Sequence, residues 1–246
     1  MNKRKILLVA VALCMVAILG FGGTLAYLTD TDNAKNVFTA GNVGLTLDEA
    51  KVEKDENGDF VSVTPAERVK EQTYHVFPGN DILKDPTVNL TETSEDAWIA
   101  IKLVIKCESE DHNLHELIGG VEGHLDLTKI ASGGLMAQTT SWMTYHGMGG
   151  FGNENYFIYQ DVSNADQNEW TMYIYMMQKT SAGHEPIVIF NKMHIPEAWD
   201  NAEMEIFNKS SIDITAYAVQ ADGFVDAYEA MQAASSDEVQ AEGFDF

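Results

Sequence analysis

The chain is poor in cysteine and in basic residues, and each shortage narrows what it can be. Of two cysteines in 246 residues, Cys14 lies inside an N-terminal apolar run, Ile6 to Phe21, behind Leu13 rather than the small residue that lipoprotein acylation needs. Cys107 is then the single thiol of the chain beyond that run, so no internal disulfide forms there. It follows Ile99, Ile101, Leu103 and Ile105 at even spacing, which assigns it to the buried side of a strand rather than to catalysis. Lys and Arg number 15 against 38 Asp and Glu. So acidic a surface repels nucleic acid and anionic membranes, and nucleic-acid binding is the first function set aside. No LPxTG-like wall-sorting motif and no apolar tail precedes Phe246, so a released or non-covalently held protein is expected. No G-x-S-x-G elbow occurs. The literal G-x-G-x-x-G of Gly147–Gly152 runs into the strand-like stretch NENYFIYQ instead of the helix that a dinucleotide site requires, and it reads as a loop.

What the chain does have begins at its N-terminus. Lys3, Arg4 and Lys5, the apolar run and a small-residue exit at Thr24-Leu25-Ala26 are the three regions of a secretory signal peptide, residues 1–26, with cleavage between Ala26 and Tyr27. Left uncut, Ile6–Ala26 is just long enough to span a bilayer. The glycines and threonine at its end favour cleavage, so membrane contact is expected only before it. Cleavage removes three basic and no acidic residues, leaving 12 against 38 and a formal charge of −26. A polar arm, residues 27–39, then leads to a first strand in which Val43, Leu45 and Leu47 alternate with Asn42, Gly44 and Thr46.

Further on, Asn57-Gly58 centres a charged hairpin. Pro78-Gly79 is a turn, and Pro86 makes Ile82–Leu90 an edge or strand-entry segment. Trp98–Lys106 is the clearest strand, with Lys102 and Lys106 opposite its isoleucines, one face dry and one wet. Asp111–Gly120 reads as a short helix, and Ala131–Gly152 as a long irregular loop. Tyr156–Gln160, Trp170–Met177 and Ile187–Phe190 read as strands apolar on both faces and therefore central. The residues from Asp226 to Phe246 form an acidic, mobile tail that includes at most a short helix. Short strands separated by turn signals imply an all-β sandwich over residues 40–225.

Three segments resemble the TasA/camelysin (CalY-like) family, secreted proteins of Gram-positive bacteria processed by the dedicated signal peptidase SipW. The first is Gly22-Gly23-Thr24-Leu25-Ala26 followed by Phe38 to Leu45. The second is Pro78, Gly79, Asn80, Ile82, Lys84, Asp85, Pro86 and Val88 ahead of the Trp98 strand. The third is Ile195, Pro196 and Trp199, then Ala216, Tyr217, Ala218, Val219, Gln220, Gly223 and Phe224. The resemblance implies a jelly-roll-like antiparallel β-sandwich, with residues 108–183 as a divergent insertion. It further implies a SipW-type peptidase as processing partner and an extracellular-matrix, biofilm-fibre or cell-surface role. In that role the arm is a candidate donor strand, with Leu28, Val37 and Phe38 setting register on another copy or a related matrix subunit.

The camelysin branch also implies a zinc metalloendopeptidase as the alternative activity. Zincins place two His at i and i+4 with a Glu beside the first. Here His112 and His115 are at i and i+3, and Glu116 follows the second, so a polar helix face is the expected reading; beside these three candidates, a further ligand could be any of His75, His124, His146, His184 or His194, and nothing in the sequence selects one. Calcium loops fail likewise. Asp55, Glu56 and Asp59 lack the spacing, and a loop opened by Asp30 and Asp32 has Lys35 at position six and Gly41 at position twelve. No cofactor is therefore expected, zinc and calcium being the alternatives. A monomeric adhesin whose specificity lies in the insertion is the further alternative.

Overall fold

The computed structural model describes residues 29–32, 42–108, 114–119, 127–135, 144–145, 148–149, 156–161 and 168–234. The proposed signal peptide and its cleavage point lie outside them. Strand β8, Ala97–Cys107, organises the fold. Its odd positions, from Ala97 through Ile99, Ile101, Leu103 and Ile105 to Cys107, are all buried, as their alternation with lysines requires. On one side β8 pairs antiparallel along its whole length with β16, Ser210–Gln220, and on the other with β13, Glu169–Met176. Beyond β13 lie β12, Tyr156–Asp161, β11, Met148–Gly149, and β10, Thr144–Tyr145. Beyond β16 lies β1, Thr29–Asp32. The order of this seven-stranded sheet is β1-β16-β8-β13-β12-β11-β10.

Two smaller sheets share its core. One has the order β14 (Ile187–Val188), β7 (Thr87–Leu90), β2 (Leu45–Ala50), β5 (Arg68–Val69). The other runs β3 (Val52–Lys54), β4 (Phe60–Ser62), β6 (Asp81–Leu83), β15 (Lys192–His194), β9 (Ala131–Ser132), with a single parallel contact between β4 and β6. Leu45, Ile82, Val88, Ile187, Ile189, Phe190, Met193 and Ile195 meet Ile99, Ile101, Leu103 and Ile174 in one apolar cluster. Three segments cross between these small sheets: β2 into β3 at Lys51, β6 into β7 at Lys84–Pro86, and β14 into β15 at Ile189–Asn191.

The structure departs from the sequence reading in four places. The stretch 108–183, expected as an insertion, supplies β13, which lies beside β8 with Met172 and Ile174 in the shared core. Of the two readings of Ile82–Leu90, strand entry holds, since β7 starts at Thr87 directly after Pro86 and lies inside its sheet; β14, expected to be central, is the edge. The hairpin turn spans Asp55–Asp59 rather than two residues. The Asp55 carboxylate accepts the N–H groups of Asn57 and Asp59, and Gly58 adopts φ +89°, a conformation natural to glycine.

The fourth departure is the outer face of the large sheet. Trp98, Ala100, Tyr173, Tyr175, Tyr217 and Val219 are buried there beneath a C-terminal helix, Ala227–Ala234, whose Ala227, Tyr228, Ala230 and Met231 face them. This helix is α3, after α1, Leu114–Ile118, and α2, Asn201–Asn208. Its start is capped by the side chains of Asp226 and Glu229. The Asp226 carboxylate accepts the Glu229 N–H at 2.8 Å, and the Glu229 carboxylate accepts the Val225 N–H at 2.7 Å. Acidic residues taken for a mobile tail are therefore caps, and residues 235–246 lie outside the described part. Tyr175 and Tyr228 meet edge to face at 5.7 Å. Met231→Ala should cost about 2–5 kcal/mol of stability, read as a lower urea midpoint; an undocked tail predicts no change.

Candidate functional site

The polar chemistry of the described residues gathers where β2 and β6 leave their sheets. Along β2 the odd positions face inward: Leu45 is buried, Leu47 packs against the core, and Glu49 follows them in. A carboxylate is thereby carried into the interior, where an unpaired charge is costly. Lys84, first residue after β6, answers it by an ion pair from Nζ to Glu49 Oε2. The other carboxylate oxygen, Oε1, accepts from the Tyr74 hydroxyl at 3.2 Å and from Gln72 Nε2 at 3.4 Å. Gln72 Nε2 also donates to the Ala50 carbonyl at 2.7 Å, and Gln72 Oε1 accepts the Val52 N–H at 2.8 Å. One amide side chain thus replaces the ladder bonds lost at Lys51. The Lys84 ammonium lies 5.1 Å from the Tyr74 ring centroid, and that ring meets Phe60 edge to face. Burial first, and then the neighbouring Glu49 charge, push the Tyr74 hydroxyl far above its ordinary value. At neutral pH it is therefore a hydrogen-bond donor.

Asp85 does the same for the facing crossing. Its Oδ1 accepts the Ala50 N–H at 2.6 Å, and its Oδ2 pairs with Arg68 at 2.7 Å. Arg68 reaches Asp48 through Nε at 2.6 Å, and its Nη2 donates to the Asp48 carbonyl at 2.9 Å. Thr87 Oγ1 donates to the Asp85 carbonyl at 2.6 Å. Pro86, without an N–H, sits where no ladder partner is offered, and its carbonyl accepts from Ile189 at 3.0 Å.

The second and third signature segments touch. Pro78 and Gly79 turn the chain between Phe77 and Asn80, with Gly79 at φ +86°. The Gly79 N–H donates to the Ile195 carbonyl at 2.8 Å, and the Ile195 N–H to the Asn80 carbonyl at 2.9 Å. Pro196 and Trp199 then lead to Asp200, which caps α2 in a box with Glu203. Ile82 is in the core. In β16, Ala216 and Ala218 face the core while Tyr217 faces α3, and Gln220 stands opposite Ala97. Beside them the arm is already paired: Thr29 lies opposite Val219, Asp30 opposite Ala218, Thr31 opposite Tyr217, and Asp32 opposite Ala216. Ala26, Tyr27, Leu28, Val37 and Phe38 lie outside the described residues.

The side chains of the metal candidates lie outside what the structure describes. His112 lies outside the described part, and His115 and Glu116 are described only as backbone of α1. Among the described residues no three of His, Cys, Asp and Glu are grouped as ligands. Cys107 is buried, its thiol donating to the Ile206 carbonyl at 3.5 Å. His194 is engaged with Asp81 at 2.7 Å, beside Lys192 at 2.5 Å.

Residues 2–63 match the family model described as camelysin metallo-endopeptidase. Over that region, about a quarter of the chain, the sequence is similar to the camelysin family. The camelysin-type region covers the N-terminal apolar run, the arm and strands β2 to β4, and so includes Glu49; Lys84, Asp85 and the β16 signature lie beyond it. No curated protein and no solved structure matches the chain. Lys84 belongs to the second signature segment, but its partner Glu49 was indicated by no motif, because a single acid in a strand pattern looks like a solvent-facing residue. The inward parity of position 49 was the available signal.

Lys84→Ala, which leaves Glu49 buried without its cation, should cost about 3–5 kcal/mol in chemical denaturation. Lys192, and then His194, hold the Asp81 carboxyl below its ordinary range. Its contribution to stability is present above the unfolded value, about pH 3.9, and is lost as pH falls through the lower folded value. In acid titrations of the urea midpoint, Asp81→Asn should flatten the decline below about pH 4.

Proposed function

We propose that the protein is an exported subunit of extracellular fibres or surface matrix of a Gram-positive bacterium, joined to its neighbours by strand exchange at the β16 edge. The pairing of β1 with β16 carries this reading. A segment just past the proposed cleavage point, between Ala26 and Tyr27, lies on the edge of the large sheet. Its sequence, Thr-Asp-Thr-Asp, brings no apolar side chain, so main-chain bonds hold it. It covers only Val219–Ala216; among the described residues no strand pairs with that side of Ser210–Thr215. The same hydrogen bonds form equally well with the arm of another copy, with Leu28, Val37 and Phe38 adding register. A head-to-tail exchange does not close, and it grows filaments from a jelly-roll-like subunit. A SipW-type peptidase would release the arm. A charge of −26 on each cleaved copy opposes assembly, so salt, calcium or low pH should promote it.

Electron microscopy of the chain beginning at Tyr27 beside one beginning at Gly41 tests the reading. Filaments from the first and none from the second are expected; monomers from both overturn it. The description of the matched family supports a second reading, a metallo-endopeptidase. One zinc per chain with chelator-sensitive cleavage of casein would establish that activity instead.

A further inference from the structure

We propose that Lys84 and Glu49 become joined by an intramolecular isopeptide bond, Lys84 Nζ to Glu49 Cδ, with loss of one water. The exposed pairs of the described residues, such as Lys51–Glu67, Lys192–Asp81 and Lys209–Glu205, keep roughly half of each side chain in solvent. Lys84 and Glu49 are different: their side chains are 12 % and 9 % exposed. Their partners are also arranged unsymmetrically about the carboxylate. Oε2 faces the amine, while Oε1 holds two neutral donors, the Tyr74 hydroxyl and the Gln72 amide.

That division is the one amide formation needs. The Lys84 ammonium passes a proton to Oε2, the oxygen it already touches, and the freed lone pair attacks Cδ. Charge then builds on Oε1, where Tyr74 and Gln72 stabilise it as an oxyanion. A second proton moves from nitrogen to Oε2, which leaves as water, and Oε1 remains as the amide carbonyl. Ammonium and carboxylate become amide and water, with no oxidant or co-reactant. Holding the amine against the carboxylate supplies the effective concentration that a bimolecular condensation lacks. Tyr74 and Gln72 are catalytic residues here because they touch the reacting carboxyl group. Asp85 is not the acceptor: its oxygens are engaged by Arg68 and the Ala50 N–H.

The bond would tie residues 35 apart in sequence, locking the β2–β3 crossing to the β6–β7 crossing. An exported chain with one thiol beyond its signal would gain the covalent tie that a disulfide gives other secreted proteins.

Denaturing mass spectrometry of the unsubstituted chain from Tyr27 tests this. The mass should fall below that of the sequence by one water. A tryptic digest should then contain a branched product linking the segment that ends at Lys51 to the one that begins at Glu71, uncut after Lys84. Lys84→Arg should restore the full mass, and Tyr74→Phe should leave a measurable unlinked fraction. A full mass in the unsubstituted chain, or a water loss mapped to another site such as Asp222-Gly223, overturns the proposal. The mass and digest of the unsubstituted chain decide between these outcomes even where a variant fails to fold.

Discussion

Glu49 ends a strand whose other inward positions are leucines, so the fold must place a carboxylate in an apolar interior and then satisfy it. Everything at that corner follows from the requirement. Lys84 supplies the opposite charge, Tyr74 and Gln72 occupy the remaining lone pairs, and Gln72 binds backbone on both sides of Lys51. An ion pair of this kind is weak evidence for stability, because desolvation offsets much of its attraction. Its value is specificity. Only one register of β2 against β7 brings position 49 beside the crossing that carries position 84, so a slip of that pairing leaves a bare buried charge.

The same corner solves a backbone problem. Where a strand passes from one sheet to another, its N–H and C=O groups lose their ladder partners, and buried groups must find others. Asp85 takes the Ala50 N–H, Gln72 takes the Ala50 carbonyl and the Val52 N–H, and Pro86 has no N–H to lose. The adjoining Lys-Asp-Pro thus has one task per residue: charge, cap and gap. Arg68 and Asp48 then hold Asp85 from the solvent side.

At the opposite side of the molecule the constraint is β8. Its first half is buried on both faces, by the sandwich core and by α3, whereas its second half shows lysines outward. The sheet's two flanks are therefore unequal. Helix α3 closes the outer face over Trp98 and Tyr217, and among the described residues β1 pairs only with Ala216–Val219 of the β16 edge.

Local periodicity was enough to identify the β8 strand with its buried Cys107, the turn at Pro78-Gly79 and the β-rich class. Each rests on spacings of a few residues that backbone geometry enforces wherever they occur. Pairings between distant segments were decided only by the tertiary structure. Glu49 found Lys84, residues 169–176 became a central strand instead of part of an insertion, and an acidic stretch became the capped start of a docked helix. The arm came to rest on β16 for the same kind of reason. Register and burial depend on which surfaces meet, and one chain position carries no record of its partner.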